Sequence, residues 1–230
     1  MTIHAHRDDD RGTDTDAARV DGTTDRSVRF WERIAERYAT RPVADADAYA
    51  RKLAITRDYL HPAAVVLELG CGTGSTAIAH ASHVGHVTAT DVSSRMIAIA
   101  RDKAATAGID NVDFVRAAAA EVTVADASVD VVLALNVLHL LDDWRGVIAA
   151  ARRMLVPGGV LVSSTMCMRD EFAFMRPIVP LGRLVGLLPR VAFFGRDELE
   201  REMTRNGLAI EHAWQPRARS GVFVVARRGQ

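Results

Sequence analysis

Apolar residues along this chain recur in two periods, and the order of those periods outlines a fold. From Val28, "VRFWERIAERYA" sets Trp31, Ile34, Ala35 and Tyr38 at helical spacing, and "DAYARKLAITRDYL" repeats this with Tyr49, Leu53 and Leu60. Two helices are therefore expected before residue 62. The apolar run "VVLELG" follows, then "HVTATD" as a strand, "SSRMIAIARDKAATAG" as a helix closed by Gly108, and "NVDFVR" and "VDVVLALN" as further strands. "WRGVIAAARRML" reads as a helix, "VPGG" as a turn and "VLVSSTM" as a fifth strand. "RDELEREMTRNG" is expected as a helix with Asp197 as cap and Glu200 three residues on, ahead of two strand-like runs, "LAIEHAW" and "GVFVVARR". Strands that are apolar throughout, alternating with helices, belong to a parallel sheet covered on both faces. A doubly wound α/β fold is the expected architecture.

Composition narrows the classes of function. The 230 residues, 49% of them apolar, suffice for one full core and are cramped for two. Lys plus Arg equals Asp plus Glu at 29 each, so no overall positive field gathers nucleic acid or an anionic membrane. The two cysteines, Cys71 and Cys167, lie in no metal-ligand spacing, which suits a reducing cytoplasm and argues against structural zinc. Residues 1–27 read as a solvated, disordered tail without the apolar segment of a signal peptide. Residues 28–230 form the expected single domain.

The chemistry concentrates in residues 65 to 75, "VVLELGCGTGS", where the acid Glu68 precedes Gly70, Gly72 and Gly74 at alternate positions. A glycine-rich turn at the carboxyl end of a first strand lets backbone approach a nucleotide-like ligand, and Asp91, ending the second strand, is placed to accept both ribose hydroxyls. The dinucleotide fingerprint needs a third glycine one position later, where Ser75 stands. All three tyrosines, Tyr38, Tyr49 and Tyr59, lie upstream of the glycines, so a downstream Tyr-x-x-x-Lys pair is missing and a nicotinamide-dependent oxidoreductase is the weaker alternative. No Gly-Lys-Ser/Thr follows the turn, which excludes a P-loop.

Taken together, "VLELGCGTG", "TATDVSSRMIAIAR", "VDVVLALNVLHLLDD" and "LVPGGVLV" resemble, in order, motifs of the class I S-adenosylmethionine-dependent methyltransferases. The likeness is greatest to the small-molecule branch that includes quinone C-methyltransferases, and it covers about residues 28 to 230. It implies a Rossmann-like, seven-stranded, mostly parallel sheet with an antiparallel C-terminal strand. Gly70, Gly72 and Gly74 would pack against the methionine and ribose portions of S-adenosylmethionine, with Cys71 between them. Glu68 would steady the loop or the cofactor's ammonium, Asp91 would hold the ribose and Val92 would lie beside the adenine. Many relatives carry an acid after the third strand. Here "VRAAAAEV" has none before Glu121, so backbone near Ala118 and Ala119 is expected to recognise adenine.

The sulfonium already activates the methyl group, so positioning and exclusion of water are the protein's main tasks. If a base is needed, "NVLHLLDD" offers Asn136, His139, Asp142 and Asp143. His139 is the candidate, with packing over the cofactor as its other reading, and Asn136 is also expected beside the cofactor. The absence of an Asp/Asn-Pro-Pro-aromatic tetrad there disfavours nucleobases, and no metal is expected. The cap helices, residues 28–62, bring Tyr38, Tyr49 and Lys52; in similar enzymes a tyrosine and a basic residue from this region contact the methionine carboxylate. Residues 168–195 read as a lid over an apolar or aromatic acceptor. Three prolines break it, so resting on a membrane surface is the less favoured reading. A noncatalytic cofactor-binding sensor or partner subunit of the same fold is the alternative to an enzyme.

Overall fold

A computed structural model describes residues 22–184 and 188–230. Residues 1–21 of the expected tail lie outside them, while helix α1 (Gly22–Ala39) already begins at Gly22 rather than at Val28. Helix α2 (Ala46–Arg57) follows, its first turn capped by Asp45, whose carboxylate accepts the Ala48 amide. These are the two helices expected from the periodicity.

The chain then alternates strand and helix as the apolar runs require. Strand β1 (Val65–Leu69) leads into α3 (Ser75–His80), β2 (His86–Asp91) into α4 (Ser94–Thr106), and β3 (Val112–Arg116) into β4 (Val129–Leu135). Helix α5 (Trp144–Met154), β5 (Leu155–Thr165), the short α6 (Met168–Glu171) and α7 (Ile178–Leu184), α8 (Arg196–Arg205), β6 (Leu208–Trp214) and β7 (Val222–Arg228) complete the order. The sheet runs β3-β2-β1-β4-β5-β7-β6, with β7 antiparallel to both neighbours and the first five strands parallel. Alternation within β1 shows why both of its faces carry apolar residues. Leu67 and Leu69 pack towards Ile148 of α5 and Leu199 of α8, whereas Val66 packs towards Ile97 and Ala100 of α4.

Two local expectations change. The "VPGG" turn is absorbed into β5 as a bulge: Val129 pairs with Leu155 and Val131 with Val160, so the intervening turn leaves the ladder and returns to it. Asp197 does not cap α8. Gly195 is the cap, and the Arg196 amide is satisfied by Asp170 at 2.7 Å instead, leaving Asp197 in the first turn where its charge suits the helix dipole. Strand order reverses between β1 and β4, and the carboxyl ends of the strands on either side form the floor of the site.

Candidate functional site

The glycine turn separates into two jobs. Gly70, Gly72 and Gly74 all have positive φ, at 70°, 53° and 76°. A Cβ on Gly70 would stand 2.6 Å from Val137, and one on Gly74 would stand 2.7 Å from Phe114 and 2.8 Å from Ala100. Those two positions are glycine because the turn packs against its own protein. Gly72 is different. A Cβ there would meet only the Tyr38 ring, at 3.7 Å, because this backbone faces a cavity of about 710 Å³. Gly70, Cys71 and Gly72 line that cavity and Gly74 does not, so of the residues expected against a cofactor Gly74 is placed instead as the cap of α3.

Both acids of the motif reach the cavity wall. Asp91 accepts the Gly72 amide at 2.9 Å through Oδ2 and the Ser93 amide at 2.9 Å through Oδ1, so it ties the end of β2 to the glycine turn. Burial raises its pKa, opposed by those two amides. Glu68 is 2% exposed, and its Oε2 is buried with no hydrogen-bond partner. Burial pushes its pKa up to about 8, against the Ala77 amide and with the Asp91 charge adding to the rise. A carboxyl group so placed is costly unless a donor or cation joins it. Burial, then the charges of Glu68 and Asp91, push the Cys71 thiol well up and keep it uncharged.

Glu68 gives the folded protein a measurable pH dependence. The folded state keeps a proton that the unfolded chain releases above its ordinary value of 4.5, so this stabilisation is full below 4.5 and is lost as pH rises towards 8. Burial pulls His80 and His139 down to about 4, which costs stability only as pH falls below their ordinary 6.5. The difference between wild type and Glu68→Gln isolates Glu68: in urea unfolding the wild type is expected to lose about 2 kcal/mol of stability relative to the variant between pH 6.5 and 8. A stability difference that stays constant over that range would contradict the assignment.

The remaining wall comes from β4, the turn after β3 and the cap helices. Val92, Ala118, Ala119 and Glu121 lie on it, as does Asn136. Asn136 has φ 59°, a conformation asparagine tolerates better than most residues, and its backbone N–H donates to the Ser164 carbonyl at 2.6 Å. Tyr38 overhangs Gly72 and meets Trp31 edge-on at 6.3 Å. Tyr49 lines the cavity with its hydroxyl 3.4 Å from Thr76 Oγ1.

His139 is not brought to the wall. It sits in the single helical turn Leu138–Leu140, its Nδ1 is buried without a partner, and its carbonyl accepts the Ala192 amide at 2.8 Å. Leu140 and Leu141 face the cavity from the same turn. The two neighbouring acids are engaged: Asp142 pairs with Arg190, and Asp143 caps α5 by accepting the Gly146 amide at 2.9 Å. Of the expected lid, Arg190 alone among the described residues reaches the cavity, while Phe174, Ile178, Leu181 and Leu184 are exposed.

The connection between α1 and α2 supplies more of the wall than the lid does. Arg41, Pro42, Val43 and Asp45 all line the cavity, and sequence periodicity missed them because they fall between helices. The sequence signal was available in "ATRPVADAD", a proline-marked loop directly after the Tyr38 helix.

Comparison with known proteins accords with this geometry. The model of the family described as "Methyltransferase domain" matches residues 66–159, from β1 into the bulge of β5. The chain is 36% identical over 151 residues to the 27-O-demethylrifamycin SV methyltransferase of Amycolatopsis mediterranei, covering 64% of this chain and 55% of that protein. It is 33% identical over 168 residues to a ubiquinone biosynthesis O-methyltransferase of Xylella fastidiosa, covering 67% of each. The chain thus spans about half to two thirds of the length of these curated relatives. The crystal structure of an S-adenosylmethionine dependent methyltransferase from Mesorhizobium loti superposes with a TM-score of 0.66 at 22% identity, covering 80% of this chain and 99% of that one, which shows the shared fold.

Proposed function

The chain belongs to the S-adenosylmethionine-dependent methyltransferase family, and from that premise we propose that it transfers a methyl group to a small, apolar or aromatic acceptor in the cytoplasm. The observation that carries this reading is the Glu68 Oε2, buried without a partner in a cavity that Asp91 and the bare backbone of Gly72 also line. The cofactor offers what those groups lack: an ammonium for Glu68, ribose hydroxyls for Asp91, and bulk where a side chain at position 72 would stand. Val92 and the backbone at Ala118 and Ala119 would take the adenine. Bound there, S-adenosylmethionine supplies a methyl group already activated by its sulfonium.

The protein's own work is placement. Asp91 holds the glycine turn at a fixed distance from β2, so the binding surface exists before a ligand arrives. Tyr38 stands over Gly72 with Trp31 edge-on behind it, where the pair would cover a bound ligand from that side. Asn136, Leu140 and Leu141 present a small polar patch and an apolar wall beyond the turn. The wall at Leu140 and Leu141, together with the names of the two O-methyltransferase relatives, supports a small apolar or aromatic acceptor.

The test is incubation of the purified protein with methyl-labelled S-adenosylmethionine and a panel of aromatic and quinol acceptors, following label in the product. Transfer to a member of the panel supports the proposal; tight cofactor binding without transfer to any acceptor would favour a sensor or partner subunit. In the same assay, His139→Ala is expected to retain the wild-type rate and pH profile, because His139 lies behind the cavity wall and holds the Ala192 amide through its backbone. A lost alkaline or acidic limb in that variant would restore His139 as the base.

A further inference from the structure

Six large apolar side chains are exposed among the described residues, and they fall in two stretches: Tyr38 and Val43 around the α1–α2 connection, and Phe174, Ile178, Leu181 and Leu184 after α6. Exposed apolar residues scattered singly need no explanation, but a group of them marks a surface that meets something other than water. The sheet brings both stretches to one end. Tyr38 and Val43 line the cavity over the carboxyl ends of β1, β2 and β4. The second stretch follows α6, which begins just past the carboxyl end of β5, a strand parallel to those three.

Helix α7 turns an apolar face outward. Val179 is buried and holds the helix to the domain, whereas Ile178, Leu181 and Leu184, at three-residue steps, form a stripe in which Leu181 is 66% and Leu184 71% exposed. The prolines of this segment do not prevent that. Pro177 precedes α7 and Pro180 lies in its first turn, where a missing N–H costs no helical bond. The Leu188 amide donates to the Gly182 carbonyl at 3.2 Å, which ties α7 to the segment beyond it.

Charge decides what meets this stripe. The chain is neutral overall, yet residues 172–195 hold three arginines and no acid, and residues 38–44 hold Arg41 and no acid. Arg41 and Arg176 are exposed. Acids bordering the two stretches are engaged: Asp45 pairs with Arg217, Asp142 pairs with Arg190, and Asp170 accepts the Arg196 amide at 2.7 Å. A second copy docked face to face would set arginine against arginine. A lipid leaflet offers anionic headgroups to the guanidinium groups and an acyl layer to the stripe. No helix among the described residues is long and apolar enough to cross a membrane, so such a contact lies at the interface.

We propose that this end of the molecule docks on an anionic lipid surface, with Phe174 and the α7 stripe at the acyl boundary and Arg41 and Arg176 at the lipid phosphates. The docking surface stands independently of the methyl-transfer reading. Where that reading holds, an apolar acceptor dissolved in lipid gains a route to the cavity that avoids water.

The test is flotation of the full-length protein with phosphatidylcholine vesicles, with and without phosphatidylglycerol. Binding to the mixed vesicles is expected to exceed binding to the neutral ones by about tenfold. It should fall by at least about tenfold in Leu181→Asp and by about fivefold or more in Arg176→Glu. Both side chains are exposed, so each variant is expected to keep the wild-type melting temperature, which separates lost docking from lost fold. Absence of binding, equal binding to both vesicles, or binding that survives either substitution overturns the proposal. So does a dimer that Leu181→Asp dissociates in sedimentation, without vesicle binding, because the stripe would then belong to a second copy.

Discussion

Replacing Asp91 by Ala is expected to weaken S-adenosylhomocysteine binding by at least about a hundredfold, from two charge-assisted hydrogen bonds at roughly 1.5 kcal/mol or more each. The loss has a second source in this structure. Asp91 also accepts the Gly72 and Ser93 amides, so the Ala variant leaves two donors without their partner and loosens the turn that the ligand must meet. Asp91→Asn separates the two effects. Its amide oxygen can keep one backbone donor while the charge is gone, so its affinity should fall between those of wild type and Asp91→Ala, with thermal stability closer to wild type. Isothermal titration combined with calorimetric unfolding reads both quantities. Equal affinity in wild type and Asp91→Ala would remove Asp91 from the binding site.

The glycines give the second large effect, and they should split. Gly74→Ala places a Cβ within 2.7 Å of Phe114 and 2.8 Å of Ala100, on backbone with φ 76°. Overpacking and left-handed strain together should cost about 2–4 kcal/mol, lowering the melting temperature by roughly 6–12 °C in a chain of this size. Gly72→Ala carries the strain without the clash, since its Cβ would have only the Tyr38 ring at 3.7 Å. It should lose about 1 kcal/mol of stability and most of its affinity for S-adenosylhomocysteine, because the methyl enters the cavity proposed to hold the ligand. Two variants of one motif would then fail for different reasons. If Gly74→Ala kept full stability while Gly72→Ala kept full affinity, the division of labour in the turn would be wrong.

That division also shows where sequence reading ends. The alternate glycines after β1 are visible as a pattern, and their place at the carboxyl end of a strand follows from the apolar run that precedes them. Which of the three are held by packing and which is left facing the open cavity does not follow, since it depends on Val137, Phe114 and Ala100, which come from other elements. The strand and helix order was legible for the same reason that β1 is apolar apart from Glu68: helices cover both faces, and the periodicity records this. The bulge at "VPGG" was read as a turn before a strand because proline and glycine mark a break and cannot show that the ladder resumes on both sides of it.

His139 and Lys52 mark the same limit from opposite sides. His139 drew notice as a titratable group after β4, but a single helical turn there points Leu140 and Leu141 inward and leaves the imidazole behind the wall. Lys52 was expected near the cofactor because it lies in the cap helices. Its contact with Ser164, 112 positions away, comes from how α2 crosses the sheet, and no local pattern encodes that crossing. The lid shows a related gap: its prolines and arginines were plain in the sequence, yet the α1–α2 connection supplies more of the wall.

The most direct test of the account is isothermal titration of the wild-type protein with S-adenosylhomocysteine. Micromolar binding is predicted, with one equivalent taken up by the cavity that Glu68, Gly72 and Asp91 line. No binding of either S-adenosylhomocysteine or S-adenosylmethionine would contradict the central claim and leave the unpartnered Glu68 carboxyl to be explained by another ligand.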